Sequence, residues 1–380
     1  MKILWLCNSA IGTSETFLGD NLALLQRIGE VKAFSGNPIA AGAPRADVEH
    51  LTFDDMPQKL HHVVRRKLTG QDVRTIAKRK RCLQQVTAAL GDFIPDAVWV
   101  EFGTTAHVAA DLLRDMGKPY FIAVHGFDIT REFRDPWYKS EFVRLANNSA
   151  GVICASHHTR NLCRTAGVSD SRCQVIRLPL DGTKLQRSTL HPTGSVRFVH
   201  LGRLVEKKGP LQTLMAFHSV LETHEDAQLT IIGEGPLKEE LVAYIQDHQL
   251  DSAVRMLGAL PQHEALAEIQ QHHVFCQHSV TGMDGDQEGF ALSPAEAALL
   301  ELPVVSTLHN GIPEHVEHGE TGWLVREWDI EGMATAMSKL ASDTDLRLAM
   351  GKAGRQRVME LCPPQARMEA LDQLLNSFVK

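Results

Sequence analysis

The chain has 380 residues, of which 43% are apolar and 22% are charged, a composition that is ordinary for a globular protein. This length is too great for one hydrophobic core to be the default, so two domains are expected. The net charge of −7 argues against a chain that is basic throughout, and seven scattered cysteines without a C-x-x-C pair argue against a disulfide framework or a zinc site and fit a reducing cytoplasm.

The first apolar run, residues 3–7, is too short for a signal-peptide core or a membrane span and predicts a buried β-strand. Short apolar runs of the same kind recur along the chain and alternate with amphipathic stretches such as residues 106–116, 211–223 and 236–248. This alternation indicates βαβ units, and therefore parallel sheets that are covered by helices on both faces. The eleven predicted strands have the sequences KILWLC, AVWV, YFIAV, GVICAS, QVIRL, VRFVHLG, QLTIIG, VRMLG, HVFCQHS, LPVVS and TGWLV.

Residues 59–81 form a strongly basic segment, with nine lysine or arginine residues and a single acid, Asp72. A basic segment on an otherwise acidic chain predicts contact with a local anionic partner, such as a phospholipid surface or a lipid-phosphate substrate. A solvated helix face is the alternative interpretation. No aromatic residue interleaves these cations, so nucleic acid is not the expected partner.

The sequence VHGFD closes the strand predicted at residues 120–124 and brings His125 and Asp128 to its carboxyl end. Ligands bind at that edge in open α/β sheets. His125 is therefore either a hydrogen-bonded core residue or a group that contacts a ligand, and the sequence leaves both interpretations open.

A polar stretch at residues 181–195, DGTKLQRSTLHPTGS, has the composition of a linker and divides the predicted strands into two groups. We therefore predict two Rossmann-like, doubly wound domains at residues 1–185 and 186–362, facing a central cleft. Residues 363–380 predict a C-terminal helix that packs back toward the N-terminal domain. The apolar stripe of that helix consists of Met368, Leu371, Leu374, Leu375 and Phe378.

Two cations follow the first predicted strand of the second domain. The sequence HLGRLVEKKG places Arg203 and Lys208 five residues apart in a loop that leads to a helix. Arginine as a fork and lysine as a point charge could both bind one diphosphate, while a pair of solvated loop cations is the alternative. The later GEGP at residues 233–236 is only half of a dinucleotide fingerprint, because Lys238 occupies the place of the third glycine.

The sequence GMDGDQEGFALSPAEA at residues 282–297 contains two glutamates, Glu288 and Glu296, eight positions apart. An EF-hand loop that began at Asp284 would need its bidentate acid at Ala295, so a calcium loop is excluded. A capping box from Ser293 to Glu296 predicts a helix over residues 294–300 and could by itself explain Glu296. It cannot explain Glu288, which precedes the helix.

Between the two glutamates, backbone N–H groups converge at the predicted helix N-terminus, which is the geometry of an anion site. These are the N–H groups of Gly289, Phe290, Ala291 and Leu292. Carboxylates on either side of such a site cannot bind a phosphate, but they can accept hydrogen bonds from hydroxyls. A sugar on one side of a diphosphate and a ribose on the other would match this arrangement.

Taken in order, four segments resemble the signature series of glycosyltransferase family 4, whose members are retaining, nucleotide-sugar-dependent enzymes of the two-domain GT-B architecture. These segments are GRLVEKKG, IIGEGPLKEEL, VRMLGALPQHE and EGFALSPAEAALLELPVVSTLHNGIPEHVEHGETGWLV. SETF at 14–17, VHGFDI at 124–129 and DGDQEG at 284–289 resemble the branch that builds bacterial exopolysaccharides of the colanic-acid type. The resemblance implies an acceptor-side N-terminal domain and a nucleotide-sugar-binding C-terminal domain.

The resemblance also implies roles for single residues. Glu288 would lie near the donor sugar and Glu296 would hold the ribose hydroxyls. Arg203 and Lys208 would bind the diphosphate, and His125 would contact the donor sugar. Gly12 lies in the first βα loop, which in the family approaches the donor and the acceptor. We also predict that Asp128, at the strand end beside His125, and the N–H groups of Gly289, Phe290, Ala291 and Leu292 bind substrate.

The sequence departs from the family pattern at two positions. Glu101 stands where the branch usually has a histidine near the end of a strand, so acceptor contacts are expected to differ. Glu301 replaces a small residue, which affects local packing more than chemistry.

We predict a retaining transferase, peripheral at the cytoplasmic face of a membrane, that needs neither a metal nor a cofactor. It would move a hexose from a nucleotide diphosphate sugar, UDP-linked in preference to GDP-linked, to a glycan or lipid-linked oligosaccharide. Three alternatives stay open: a metal-dependent transferase with Asp284 and Asp286 as its D-x-D, a catalytically silent scaffold that binds sugar nucleotides, and a nucleotide-sugar epimerase.

Overall fold

A computed structural model of the chain describes residues 1–8, 16–36, 48–51, 73–185 and 194–378. The described chain forms two compact units. Unit 1 consists of Met1–Pro179 and Gln365–Lys380, and unit 2 consists of Leu180–Pro364. Each unit is built around one parallel β-sheet with helices packed against it.

The sheet of unit 1 has seven parallel strands in the order β3-β2-β1-β4-β5-β6-β7. The strands are β1 (Lys2–Cys7), β2 (Glu30–Ser35), β3 (Val48–His50), β4 (Ala97–Glu101), β5 (Tyr120–Val124), β6 (Gly151–Cys154) and β7 (Cys173–Val175). The described helices are α1 (Thr16–Ile28), α2 (Val73–Leu90), α3 (Gly103–Val108), α4 (Ala110–Met116), α5 (Pro136–Asn148), α6 (His157–Ala166) and, from the end of the chain, α14 (Pro364–Phe378).

The central strands of unit 1 are buried on both faces, which is why they are continuous apolar runs in the sequence. All five residues of β4 and all five of β5 are buried. The strands β2 and β3 were not predicted. Their sequences, EVKAFS and VEH, interrupt the apolar pattern with charges, and β3 is a short strand at the sheet edge.

Helix α14 belongs to unit 1 because its apolar stripe packs against the sheet. Leu371, Leu374 and Leu375 share a hydrophobic cluster with residues of β1 and β4. The buried Arg367 guanidinium donates to the carbonyl oxygens of Ile176 at 2.7 Å and Arg177 at 2.6 Å. These hydrogen bonds hold the helix to the end of β7.

The sheet of unit 2 has six parallel strands in the order β10-β9-β8-β11-β12-β13. The strands are β8 (Arg197–Leu201), β9 (Gln228–Ile232), β10 (Val254–Gly258), β11 (Val274–Cys276), β12 (Val304–Thr307) and β13 (Gly322–Val325). The helices are α7 (Pro210–Leu221), α8 (Lys238–Asp247), α9 (Gln262–Ile269), α10 (Leu292–Leu299), α11 (Ile312–His315), α12 (Ile330–Ser342) and α13 (Thr344–Leu361). Across the described parts of both units, no helix combines the length and the apolar composition that a bilayer crossing requires.

Both sheets reverse their strand order beside their first strand, between β1 and β4 in unit 1 and between β8 and β11 in unit 2. Ligands of doubly wound sheets bind at the carboxyl ends of the strands at such a point. The α/β class with two Rossmann-like sheets is therefore confirmed. The residues that end β4, β8 and β11 lie where a site is expected.

Candidate functional site

The loop after β8 carries two lysines of unit 2 whose side chains are only 11% and 14% exposed. A short 3-10 helix, Glu206–Lys208, leads into Gly209, which has a left-handed backbone with a φ of 55°. A Cβ at Gly209 would lie 1.8 Å from the carbonyl oxygen of His278, so no other residue fits this turn without a shift of the backbone. The tight turn brings Lys207 and Lys208 over the segment that follows β11.

Glu288 is the acceptor for these lysines. Its carboxylate lies 3.1 Å from Lys208 Nζ and 3.8 Å from Lys207 Nζ, and Lys207 also contacts Asp286 at 3.1 Å. Burial alone would raise the pKa of Glu288, but the charges of Lys208 and Lys207 lower it to about 2. The sequence had assigned Lys208 to a diphosphate and Glu288 to a sugar. The structure brings the two side chains together as an ion pair.

The backbone of Glu288 is fixed by a histidine–glutamate pair that the sequence did not single out. His309 Nε2 accepts the backbone N–H of Glu288 at 3.1 Å, and its Nδ1 lies 2.6 Å from Glu327 Oε1. Since Nε2 accepts, Nδ1 carries the proton and donates to Glu327. The other Glu327 oxygen accepts the N–H of Thr281 at 2.8 Å. The position of His309, two residues after the end of β12, was the signal that could have identified it.

Helix α10 begins at Leu292, two residues earlier than predicted, and the capping-box interpretation is wrong. Ala291 precedes the helix with a left-handed φ of 61°, and no side chain caps it. Ser293 lies inside the helix and donates to Gln277 Oε1 at 3.0 Å. Glu296 is buried and accepts a hydrogen bond from Gln262 Nε2 at 2.7 Å. Because Glu296 does not cap the helix, the local explanation for this carboxylate is removed.

The segment from Gly289 to Leu292 joins Glu288 to α10. Phe290 is buried, and its carbonyl oxygen accepts from His315 Nε2 at 3.0 Å. Anion binding by the N–H groups of Gly289, Phe290, Ala291 and Leu292 stays a prediction. Arg203 is exposed, and within the described residues no carboxylate forms an ion pair with it. Arg203 therefore lies outside the buried cluster that contains Lys208.

In unit 1, His125 meets a fully buried carboxylate at the end of β4. His125 Nε2 lies 2.7 Å from Glu101 Oε2. Glu101 Oε1 accepts from three further N–H groups: Trp99 at 2.9 Å, Asn21 at 3.3 Å and Trp5 at 3.4 Å. Burial would raise the pKa of Glu101, but the hydrogen bonds from His125 and Trp99 lower it below its ordinary value.

Asp128 shapes the loop that carries His125. Its carboxylate accepts the backbone N–H groups of His125 at 3.1 Å, Gly126 at 2.9 Å and Gly103 at 2.9 Å, and the residue is fully buried. These contacts account for Asp128 as a loop-forming residue, and a contact with substrate stays a prediction. Gly12 lies outside the described residues.

The acidic pair of the D-x-D alternative is engaged by protein groups. Asp286 binds Lys207, and Asp284 Oδ1 accepts the backbone N–H of Asp286 at 2.9 Å. In the ranges of the chain that the structure describes, no group of three or more His, Cys, Asp or Glu residues is arranged to hold a metal ion.

Two family models match the chain. "Glycosyl transferases group 1" matches residues 181–357, and "Glycosyltransferase Family 4" matches residues 39–183. The chain is 31% identical over 297 residues to WcaL of Escherichia coli (strain K12), a glycosyltransferase named for colanic acid biosynthesis, and the match covers 77% of this chain and 72% of WcaL.

A second relative is a GDP-mannose-dependent alpha-(1-6)-phosphatidylinositol monomannoside mannosyltransferase of Mycobacterium tuberculosis. It is 33% identical over 305 residues, which cover 75% of this chain and 76% of the relative. Among solved structures, Anabaena Alr3699/HepE in complex with UDP-glucose superposes with a TM-score of 0.79 at 18% identity, covering 99% of this chain and all of that one. At this identity the superposition establishes the shared fold.

Proposed function

The chain belongs to glycosyltransferase family 4, and on that premise we propose that it moves a hexose from a nucleotide diphosphate sugar to an acceptor hydroxyl in exopolysaccharide synthesis. The observation that carries the proposal is the ion-paired cluster of Lys207, Lys208, Asp286 and Glu288 beside the segment that leads into α10. The name of WcaL supports the kind of product, and the structural neighbour with UDP-glucose supports the kind of donor.

The reaction places negative charge on the leaving diphosphate, and Lys208 is the cation that can meet it. Lys208 is paired with Glu288 at 3.1 Å. A diphosphate that arrives at Lys208 replaces Glu288 as its partner, and the freed Glu288 oxygens then accept hydrogen bonds from a sugar hydroxyl. A buried, preorganised cation stabilises developing charge more strongly than a solvated one.

The chemistry balances with the substrates alone. The bond between the anomeric carbon and the diphosphate oxygen breaks, and its electron pair leaves with the diphosphate. The acceptor oxygen forms the new bond on the same face of the sugar, and its proton passes to the departing phosphate. The configuration is retained, and no metal enters this scheme.

Transfer of labelled sugar is the decisive experiment. The protein is incubated with radiolabelled UDP-glucose or GDP-mannose and a lipid-linked oligosaccharide acceptor, with and without excess chelator. We expect chelator-resistant transfer from the uridine donor to give a product of retained anomeric configuration. Binding without transfer above donor hydrolysis would favour the scaffold, an isomerised donor would favour the epimerase, and activity lost with chelator would favour the D-x-D alternative.

Donor binding has an independent readout in thermal stability. A ligand at about 100 times its Kd stabilises the folded state by about 2.7 kcal/mol. A panel of UDP- and GDP-sugars therefore identifies the base by the size of the shift, and we expect the uridine nucleotides to give the larger one.

We further propose that the acceptor is lipid-linked, because of the basic residues 59–81. Residues 59–72 lie outside the described residues. In the described remainder, Arg79 binds Glu141 at 2.9 Å and lies 5.8 Å from the ring of Trp137. Neutral substitutions within residues 59–67 are expected to abolish sedimentation with vesicles that contain phosphatidylglycerol. Unchanged binding to these vesicles, or equal binding to phosphatidylcholine vesicles, would contradict a membrane contact through this segment.

A further inference from the structure

The fully buried Glu101 at the end of β4 is costly to the fold and needs an explanation. Taking a carboxylate out of water costs several kcal/mol after relaxation, and a well-packed apolar residue would often be as stable or more so. Its hydrogen-bond partners are three neutral N–H groups and one imidazole.

The two oxygens of Glu101 serve different partners. Oε1 accepts all three neutral donors, from Trp5, Asn21 and Trp99. Among the described residues, Oε2 accepts from His125 alone, at 2.7 Å, the shortest of the four contacts. A carboxylate that only satisfied the tryptophans and the asparagine would not need its second oxygen on His125.

The contact with Glu101 determines which ring nitrogen of His125 carries a proton. An ionised carboxylate can only accept hydrogen bonds, so Nε2 must be protonated. The other ring nitrogen, Nδ1, is buried and has no hydrogen-bond partner among the described residues. A buried polar atom without a partner costs free energy and calls for an explanation, and a partner supplied by another molecule is one such explanation.

The ring of His125 is held in place from several sides. It packs between Phe17 and Phe102, with ring centroids at 4.6 and 4.7 Å, and Asp128 accepts its backbone N–H. Phe102 follows Glu101 directly and has a φ of 70°, which is strained for a residue with a side chain. Strain of this kind persists only where the surrounding structure enforces it, as it does at preorganised sites.

We propose that Glu101 is a positioning residue that fixes His125 in the Nε2–H tautomer, so that Nδ1 accepts a hydrogen bond from a hydroxyl of the bound sugar. The role of the sugar rests on the proposed function, while the tautomer does not. Glu101 acts through His125 and does not itself touch the substrate.

The test is the Glu101→Gln variant, which keeps the shape of the side chain and reverses one hydrogen bond. Three donors converge on the position of Oε1, so the amide oxygen of the glutamine takes that position and its NH₂ group faces His125. Nε2 must then accept, and the ring proton moves to Nδ1. The tautomer is measured by ¹⁵N NMR of histidine-labelled protein at pH 7.5, with the signal of His125 assigned by its loss in His125→Asn.

We expect protonated Nε2 and unprotonated Nδ1 in the wild-type protein, and the reverse in Glu101→Gln. We also expect kcat/KM of Glu101→Gln for the donor to fall at least about tenfold. The loss is expected to stay below about 10⁴-fold, which is the loss when a histidine that itself transfers the proton is held in the wrong tautomer. Trp5→Phe is the matched control, because it removes a donor to Oε1 and leaves Oε2 untouched. It is expected to lower the melting temperature without changing the tautomer or kcat/KM.

Each outcome bears on one proposal at a time. A wild-type spectrum with Nδ1 protonated, as a tautomer or as imidazolium, overturns the inference even if Glu101→Gln does not fold. Equal losses of activity in Trp5→Phe and Glu101→Gln also overturn it, because the role would then be structural. A reversed tautomer with full transfer activity leaves the proposed function standing and removes the positioning role. The expected tautomers without any wild-type transfer remove the proposed function only.

Discussion

Two buried carboxylates, Glu101 in unit 1 and Glu288 in unit 2, meet the same electrostatic cost in different ways. Glu288 is neutralised by the flexible side chains of Lys208 and Lys207, whereas Glu101 is bound by tryptophan, asparagine and histidine N–H groups that are fixed by packing. A lysine can leave one anion for another at little structural cost. Under the proposed function, the ion pair of unit 2 would be exchanged for a departing diphosphate, and the rigid carboxylate of unit 1 would orient a sugar through His125.

The largest expected effect comes from removing the exchangeable cation. Lys208→Ala is expected to lower kcat about 10²-fold, the scale of losing one preorganised charge-stabilising group. Single-turnover kinetics at saturating donor measure the loss. Lys207→Ala is the matched control, since it removes a neighbouring cation but keeps the pair of Lys208 and Glu288, and its kcat is expected to fall less. Near-normal transfer by Lys208→Ala would refute the diphosphate assignment.

Arg203 is exposed and lies outside the cluster that contains Lys208. Replacing it tests whether the diphosphate also needs a cation from outside this cluster. We predict an about 10²-fold loss of kcat for Arg203→Ala as well, because a guanidinium can bind the diphosphate as a fork. The free energy of unfolding is expected to be unchanged, in contrast to Lys208→Ala, which leaves a buried carboxylate short of a partner. Full activity of Arg203→Ala would assign the charge stabilisation to the buried lysine alone.

The acid stability of the protein depends on Glu288. Its pKa is lowered to about 2, so its ionised form contributes stability above the ordinary glutamate value, and this contribution is lost as the pH falls toward 2. The loss is on the order of 3 kcal/mol at about 1.4 kcal/mol per pKa unit. Urea unfolding between pH 5 and 2.5 measures it. Glu288→Gln is expected to have a shallower slope than the wild type, with a remainder that includes Glu101, and identical slopes would contradict the assignment.

The local sequence predicted the elements of the fold but not the contacts between distant parts of the site. Buried strands such as β1 and β4 can be predicted from the sequence because both of their faces are apolar. The strand β2 was missed because Glu30 and Lys32 interrupt its apolar pattern. The capping box failed because Ser293 has a tertiary partner, Gln277, sixteen residues away in the chain. The capping-box pattern takes account only of residues within the same turn of the helix.

The ion pair of Lys208 and Glu288 could not be predicted from the sequence for the same reason. Each residue was assigned from the sequence to a different part of the substrate, and nothing in their spacing indicated that they bind each other across eighty residues. Glu101 was noted in the sequence as a residue at a strand end, and the position of His309 after β12 could have identified it. The sequence did not predict the side chains that they contact, Glu327 and His125, because tertiary packing brings the two members of each pair together.

Glu296 provides a smaller test, on affinity. With the capping role excluded, Glu296→Gln is expected to weaken binding of UDP about tenfold, or about 1.4 kcal/mol, because a neutral amide accepts ribose hydroxyls less strongly than a carboxylate. Isothermal titration with UDP measures the change, with GDP as the alternative nucleotide. An unchanged Kd for both nucleotides would contradict a role for Glu296 in binding the ribose.

The smallest expected effect on UDP affinity is that of replacing Gln262, the first residue of α9. Its Nε2 donates a hydrogen bond to Glu296 at 2.7 Å. Gln262→Ala removes one hydrogen bond to a charged group without removing the acceptor, so we expect UDP affinity to fall about threefold, or about 0.7 kcal/mol. Because Gln262 acts through Glu296, the change is expected to vanish in a Glu296→Ala background. Titrations of both single variants and the double variant form a cycle that measures this coupling. Additive losses would mean that Gln262 reaches the nucleotide by itself and does not act through Glu296.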